Sequence, residues 1–357
     1  MNAFQTAIDF AIASEIAWPR DPHSDPAGWG IHHVDTPPWN VLRGPVHARG
    51  PASGVIMQGG RTLAEWGEPD RPDLTFSIAK TYLAMLAGLA IDRGLLGDPD
   101  EQVRHRLPGI GFDSAHNAPI TWTMLLQQTS EWEGSSFGLP EQVDRYRTVI
   151  YGGEPATGKK GEARPLRTPG TFWEYNDVRI NQLALALLHL FGEPLPEVFR
   201  SAFLDPLGTT SAFSWVGYDD AWVEVKSSHD GQLRRMQSVP GGTHWGGGVS
   251  ISARDQTLIG RLILQRGQWN GKALLSAQWV ERMLTPCTIA PFYGLLTWLN
   301  NGPIPVYPAA GPDSVFMIGA GGQVTWVDAS RDLVMTSRWV TPERTQGLIE
   351  RVVAALG

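Results

Sequence analysis

Apolar residues fall into two kinds of pattern along this chain, and each predicts a different kind of element. From Leu83 to Ile91 every side chain is apolar or absent, which predicts a buried helix through TFSIAKTYLAMLAGLAIDRG. The opening MNAFQTAIDFAIASEIAWPRDP carries Asp9 and Glu15 inside an apolar stretch and reads as an amphipathic helix. Its expected partner is the closing segment 341–356, where Leu348, Val352 and Leu356 recur at helical spacing. Short apolar runs bounded by glycine predict strands instead. GVIMQ and RTLAEWG flank Gly59-Gly60 as a hairpin, and the block 313–339 supplies three more strands, with Gly-Ala-Gly-Gly at 319–322 as a tight turn.

Between these patterned ends the chain changes character. Residues 21–52, rich in proline, glycine and histidine, read as an irregular wrap, and the proline and glycine of 152–171 predict an exposed loop that overhangs a site. The expected architecture is α+β: residues 1–97 and 241–357 form an antiparallel sheet flanked by helices, and 98–240 form an inserted, mainly helical lobe.

With 357 residues and 42% hydrophobic content, the chain is ample for a large core and two lobes. A formal charge of −7 argues against nucleic acid as a partner, and the short basic spots Arg234-Arg235 and Lys159-Lys160 read as solvated loops. The single cysteine, Cys287, excludes an internal disulfide and reads as a small core residue. Neither a basic leader nor a membrane span is evident, so a cytoplasmic location is expected. Nine histidines, including His32-His33, show no metal-ligand spacing, and no nucleotide-binding glycine string occurs. No metal and no cofactor are expected.

The chemistry begins at Ser77-Ile78-Ala79-Lys80, which puts a nucleophile and a base one helical turn apart on one face. Such a spacing arises by chance about once in a chain of this length. Only five lysines stand against 24 arginines here, however, and the match falls at the start of the most apolar helix. With Thr75 as cap, Ser77 lies where free N–H groups and the positive dipole end favour a developing anion. Lys80 points into low dielectric, where desolvation can bring the amine toward neutrality, the state that accepts a proton.

Further segments follow in order: PITWTMLLQQTSEWEG (119–134), RPLRTPGTFWEYNDVRINQLALALL (164–188), DPLGTT (205–210), GGTHWGGGVSISARDQTLIGRLIL (241–264) and FMIGAGGQVTWVDASRDLVMTSRW (316–339). The ordered set resembles the serine beta-lactamase and penicillin-binding-protein superfamily, in particular its class C-like esterase and 6-aminohexanoate-dimer hydrolase branch. The resemblance implies the beta-lactamase/transpeptidase-like fold, with Ser77 as acyl-accepting nucleophile and Lys80 as its proton partner. Tyr175 matches the tyrosine of the family's Tyr-x-Asn motif and is implied to exchange protons with the serine and the leaving group. Asp177 stands where that motif has asparagine, and a carboxylate there can pair with Lys80 and hold it charged.

The family's third motif, Lys-Thr-Gly or His-x-Gly, is matched only by Met317-Ile318-Gly319-Ala320 or, shifted, by Gly319-Ala320-Gly321-Gly322. What survives is backbone: the resemblance implies an oxyanion hole from the N–H groups of Ser77 and Ala320, with Gly322 as second choice. Lacking the cation that grips a lactam carboxylate, the motif favours an uncharged small-molecule ester or amide substrate. Of the fifteen tryptophans, Trp132, Trp173, Trp215 and Trp245 fall beside these segments and together suggest an apolar acyl pocket, with Trp173 and Trp245 as supporting residues.

A rival nucleophile string, Gly134-Ser135-Ser136-Phe137-Gly138, lacks the strand before and the helix immediately after that a nucleophile elbow needs, so Ser136 reads as a loop serine. The expected function is a serine hydrolase. The alternatives are a beta-lactamase or D-alanyl peptidase, and a non-catalytic relative that only binds in the cleft.

Overall fold

The computed structural model describes residues 3–149 and 157–357. Both ends of the chain build one antiparallel sheet of six strands: β1 (Ser53–Gln58), β2 (Arg61–Trp66), then, far along the chain, β6 (Trp298–Leu299), β7 (Ser314–Gly319), β8 (Gln323–Asp328) and β9 (Leu333–Arg338). Their spatial order is β6-β7-β8-β9-β1-β2. Gly54 opposite Ser337 and Val324 opposite Ser337 fix β9 between β1 and β8. A smaller antiparallel sheet joins β3 (Asp73–Leu74), β5 (Gly248–Ile251) and β4 (Ser214–Val216), with β5 central.

Strands β8 and β9 are buried along their whole length, so both faces of the large sheet must be covered. Helix α1 (Gln5–Ala13) packs on β2 and on the last helix, α5 (Thr345–Leu356), as the apolar spacing of both segments predicts. Leu348 and Val352 are fully buried, whereas Leu356 is half-buried. Helix α4 (Ala253–Leu264) lies across β8, β9 and β1, with Thr257 donating to Thr336 at 2.9 Å and Gln256 to Thr325 at 2.6 Å.

Helix α2 (Ala79–Asp92) runs through the centre of the molecule, buried along all but its last turn, and α3 (Asp177–Phe191) packs beside it. Between α2 and β5 the chain also carries short helices at Trp122–Leu126 and Leu195–Phe199 and an exposed ribbon, Trp222–Lys226 against Leu233–Gln237. Of the loop expected at 152–171, residues 152–156 lie outside the described residues. The remainder folds back to the centre through Lys160 and Arg164. Lys160 is therefore no solvated loop residue; it is part-buried against Asp35 and Asp144.

Candidate active site

Ser77 lies in a 3₁₀ turn, Phe76–Ile78, that leads directly into α2. Thr75 does not cap it: its backbone is helical and its hydroxyl has no partner among the described residues. The turn is strained and is held by packing instead. Phe76 has φ +51°, a region that costs a bulky residue about 1–3 kcal/mol, and its ring is clamped by Trp18, Trp29 and Trp339. Strand β7 then ends beside the serine because residue 319 has no side chain. A β-carbon there would come within 2.2 Å of the Thr75 carbonyl oxygen and 3.1 Å of the Ser77 nitrogen.

Lys80 follows one turn later and is 1% exposed. Its ammonium donates to Ser77 Oγ at 3.0 Å and to the Gly241 carbonyl at 3.2 Å, and it forms an ion pair with Asp177 Oδ1. Two oxygens thus accept from the amine and a carboxylate lies against it, the surroundings of a charged lysine. The expectation of a neutral amine is overturned. Burial alone pushes Lys80 down, but the Asp177 carboxylate and the neighbouring Tyr175 outweigh it and raise the amine above its usual range.

Both partners come from the start of α3 and the residues just before it. Asn176 is its N-cap, accepting from Val178 N at 3.0 Å and Arg179 N at 3.1 Å, so Tyr175 stands just before the helix and Asp177 is its first residue. The asparagine of the sequence pattern is thus present one position early, consumed as a cap. Burial pushes the Asp177 carboxyl up, yet the Arg147 and Lys80 charges and the His244 hydrogen bond hold it well below the usual carboxylate range.

A cavity of about 150 Å³ opens at Ser77. Its walls include Arg147, Val149, Tyr175, Trp298, Ile318, Gly319, Ala320 and Gly322. The Tyr175 ring stacks on Trp298 at 5.7 Å, with Lys80 Nζ 4.8 Å and the Arg147 guanidinium 5.0 Å from its centre. The structure therefore brings Ser77, Lys80, Tyr175, Asp177, Gly319, Ala320 and Gly322 together. The tryptophan in the cavity wall is Trp298, and not Trp132, Trp173, Trp215 or Trp245. Trp173 packs behind Tyr175 against Phe292 and Tyr293, and Trp245 is buried flat against His244 at 3.8 Å. Ser136 is buried in a two-residue strand opposite Leu139–Pro140, away from this cavity. Arg338 is buried elsewhere, donating to the Asp73 carbonyl and Gln256.

Sequence reasoning missed the second layer. Behind Asp177 lie Asp35, Asp144, Arg147, Lys160 and His244, all joined by hydrogen bonds or ion pairs. Only His244, flanked by glycine pairs in a motif segment, carried any local signal. Asp144, Asp177 and His244 offer ligand atoms within 4.8 Å of one another. The Arg147 guanidinium already lies among them, at 3.2 Å from Asp144, 2.5 Å from Asp177 and 3.3 Å from His244, supplying the positive charge that three such groups would gather. Burial pushes the Asp144 carboxyl up, but the Arg147, Lys160 and His244 charges hold it below its ordinary value.

Known proteins resemble this chain in sequence and in fold. A family model described as beta-lactamase matches residues 52–347. The 6-aminohexanoate-dimer hydrolase of Paenarthrobacter ureafaciens is 23% identical over 314 residues, covering 81% of this chain and 73% of that protein. Among solved structures, EstCE1, a hydrolase with promiscuous acyltransferase activity, superposes with a TM-score of 0.58 at 17% identity, over 86% of this chain and 93% of that one. A D-stereospecific amidohydrolase from Streptomyces sp. gives 0.55 at 19% identity, over 84% and 92%. At these identities the structural likeness establishes the fold, that of beta-lactamases and transpeptidases.

Proposed function

The chain belongs to the beta-lactamase family, and on that premise we propose a serine hydrolase that cleaves an uncharged ester or linear amide through an acyl-enzyme on Ser77. The observation that carries the reading is the 3.0 Å contact from Lys80 Nζ to Ser77 Oγ in the wall of a cavity that Tyr175 also lines. The ester- and amide-cleaving relatives are consistent with it.

Lys80 stays an ammonium and orients Ser77 Oγ, which leaves the proton transfers to the Tyr175 oxygen. The Tyr175 oxygen, on a ring flanked by Lys80 and Arg147, takes the Ser77 proton as Oγ attacks the carbonyl carbon. The N–H groups of Ser77 and Ala320 hold the oxyanion. Collapse breaks the bond to the alcohol or amine, which leaves with the proton from Tyr175. Water then attacks the acyl carbon and gives its proton to Tyr175; when the bond to Ser77 Oγ breaks, that proton returns to the serine and the acid departs.

The test is labelling with a fluorophosphonate, followed by peptide mapping and hydrolysis assays on wild type and Ser77→Ala. The expected result is a single adduct on Ser77 and loss of turnover in the variant. An adduct on Ser136 in place of Ser77, or full turnover by Ser77→Ala, overturns the reading.

A further inference from the structure

The ion cluster behind Lys80 contains more than a Ser-Lys-Tyr site needs, and its outermost member comes from outside the region the family model matches. We infer that His244, anchored by Asp35, is a positioning residue for acylation: it fixes the Asp177 carboxylate so that Lys80 is held against Ser77. The inference rests on the Ser77 acyl-enzyme reading.

Asp177 has two oxygens with separate duties. Oδ1 pairs with Lys80, while Oδ2 accepts from His244 Nδ1 at 2.9 Å and from Arg147 Nη1 at 2.5 Å. The carboxylate cannot rotate without giving up these bonds. The imidazole in turn is fixed on three sides. Its Nε2 meets Asp35 Oδ2 at 2.8 Å, and its face stacks on Trp245 with planes 10° apart. Trp245 is itself tied by its indole N–H to the Trp39 carbonyl at 2.9 Å.

Both ring nitrogens lie nearer to a carboxylate oxygen than to the cations Arg147 and Lys160, each 3.3 Å away. Each ring nitrogen thus faces one carboxylate, and the ring is a rigid link between Asp177 and Asp35. His244 and Asp35 are 2% and 5% exposed, and neither lines the cavity. Their effect on chemistry must therefore pass through Asp177. Asp35 lies in the irregular wrap ahead of residue 52, where the family match begins, so the amino-terminal segment helps to hold the site lysine.

Loss of the link frees Asp177 to turn toward Arg147 and releases Lys80 from its place. A displacement of about 1 Å near reacting atoms costs on the order of a hundredfold in rate. The experiment compares His244→Gln, Asp35→Asn and the double variant with wild type, in the rate of fluorophosphonate labelling of Ser77 and in steady-state hydrolysis of an aryl ester. Labelling rate and kcat are expected to fall about tenfold to a hundredfold in each single variant. KM should change by less than about threefold, because substrate touches neither residue. Since the two residues act in series, the double variant should be no slower than the slower single one.

Thermal unfolding checks each protein, and Asp35→Asn, which keeps shape, serves if His244→Gln does not fold. Wild-type kcat and labelling rate in folded Asp35→Asn or His244→Gln, or losses that simply multiply in the double variant, overturn the inference. An adduct on wild type at a residue other than Ser77 is a different outcome and removes the underlying reading instead.

Discussion

At the residue scale the feature that shapes the site is the charge of Lys80. A buried amine with no partner would shed its proton, but here it donates to two oxygens and is ion-paired with the Asp177 carboxylate. On the proposed mechanism the labour divides: the lysine orients and stabilises, and Tyr175, which lines the cavity beside it, does the transfers. Lys80→Ala and Tyr175→Phe should each lower kcat by about a hundredfold or more, the usual scale for a lost proton-transfer or orienting group. Their failures should differ in kind. Lys80→Ala also strands Asp177 in the core facing Arg147 and His244 alone, so its melting temperature should fall, whereas Tyr175→Phe keeps the ring stack on Trp298 and should unfold close to wild type. Steady-state kinetics with circular dichroism melts check both. A variant that retains wild-type kcat shows that its residue carries no part of the chemistry.

At the element scale, α3 matters most, because its first residues carry the site and its buried face is pinned by charge. Arg179 donates to Glu131 at 2.7 Å, and Arg164, returning from the loop after residue 157, donates to Glu131 at 2.7 Å and to Glu174 at 2.7 Å. Burial pushes Glu131 up, but the Arg164 hydrogen bonds, the Arg179 charge and the Arg167 N–H overcome it and bring the carboxyl down to about 2 from 4.5. A carboxyl depressed on folding contributes stability that is fully present above its unfolded value and lost as pH falls through its folded one. The window therefore runs from pH 4.5 down to about 2, with about 3 kcal/mol at stake. Glu131→Gln should unfold more readily in urea at pH 7, and the gap from wild type should narrow as pH falls through that window; a gap independent of pH would dissociate Glu131 from acid stability. Elements with a local period were legible in the sequence. The β1–β2 hairpin, the strands of 313–339, the buried α2 and the pairing of the terminal helices all follow from apolar spacing. What was not legible is long-range charge pairing: His244 meets Asp35 across 209 residues and Lys160 meets Asp35 across 125, with no periodicity to announce either contact. Local capping also misled, since Asn176 occupies the cap that shifts the tyrosine motif by one position, while Thr75 caps nothing.

At the scale of the whole molecule, the cavity is assembled from parts of the chain that meet only on folding: the start of α2, the segment around Arg147, the residues before α3, strands β6 to β8, and the start of α5. Its chemistry is that of its weakest contributor, the β7–β8 turn, which offers Ile318, Gly319, Ala320 and Gly322 where a lactam-binding site would present a cation and a hydroxyl. Two arginines had to be weighed as substitutes. Arg338, the last residue of β9, is buried away from the cavity lining and donates to the Asp73 carbonyl and Gln256. Arg147 does reach the cavity, but Asp144 and Asp177 already neutralise it, and drawing it toward a substrate carboxylate would unpair Asp177 from its guanidinium. A penicillin or cephalosporin carboxylate entering here loses its water and meets no free cation among the described residues that line the cavity. Absence of one charge-assisted hydrogen bond costs about 1.5–3 kcal/mol, roughly tenfold to a hundredfold in affinity. The cavity of about 150 Å³, walled by Val149, Tyr175, Trp298 and Ile318, suits a small apolar acyl group. Short-chain aryl esters or small linear amides should accordingly exceed a chromogenic cephalosporin in kcat/KM by at least about tenfold. A cephalosporin turned over as well as the best short ester would mean that Arg147 gives up its carboxylates to bind substrate, and Arg147→Leu would then abolish the lactam activity selectively.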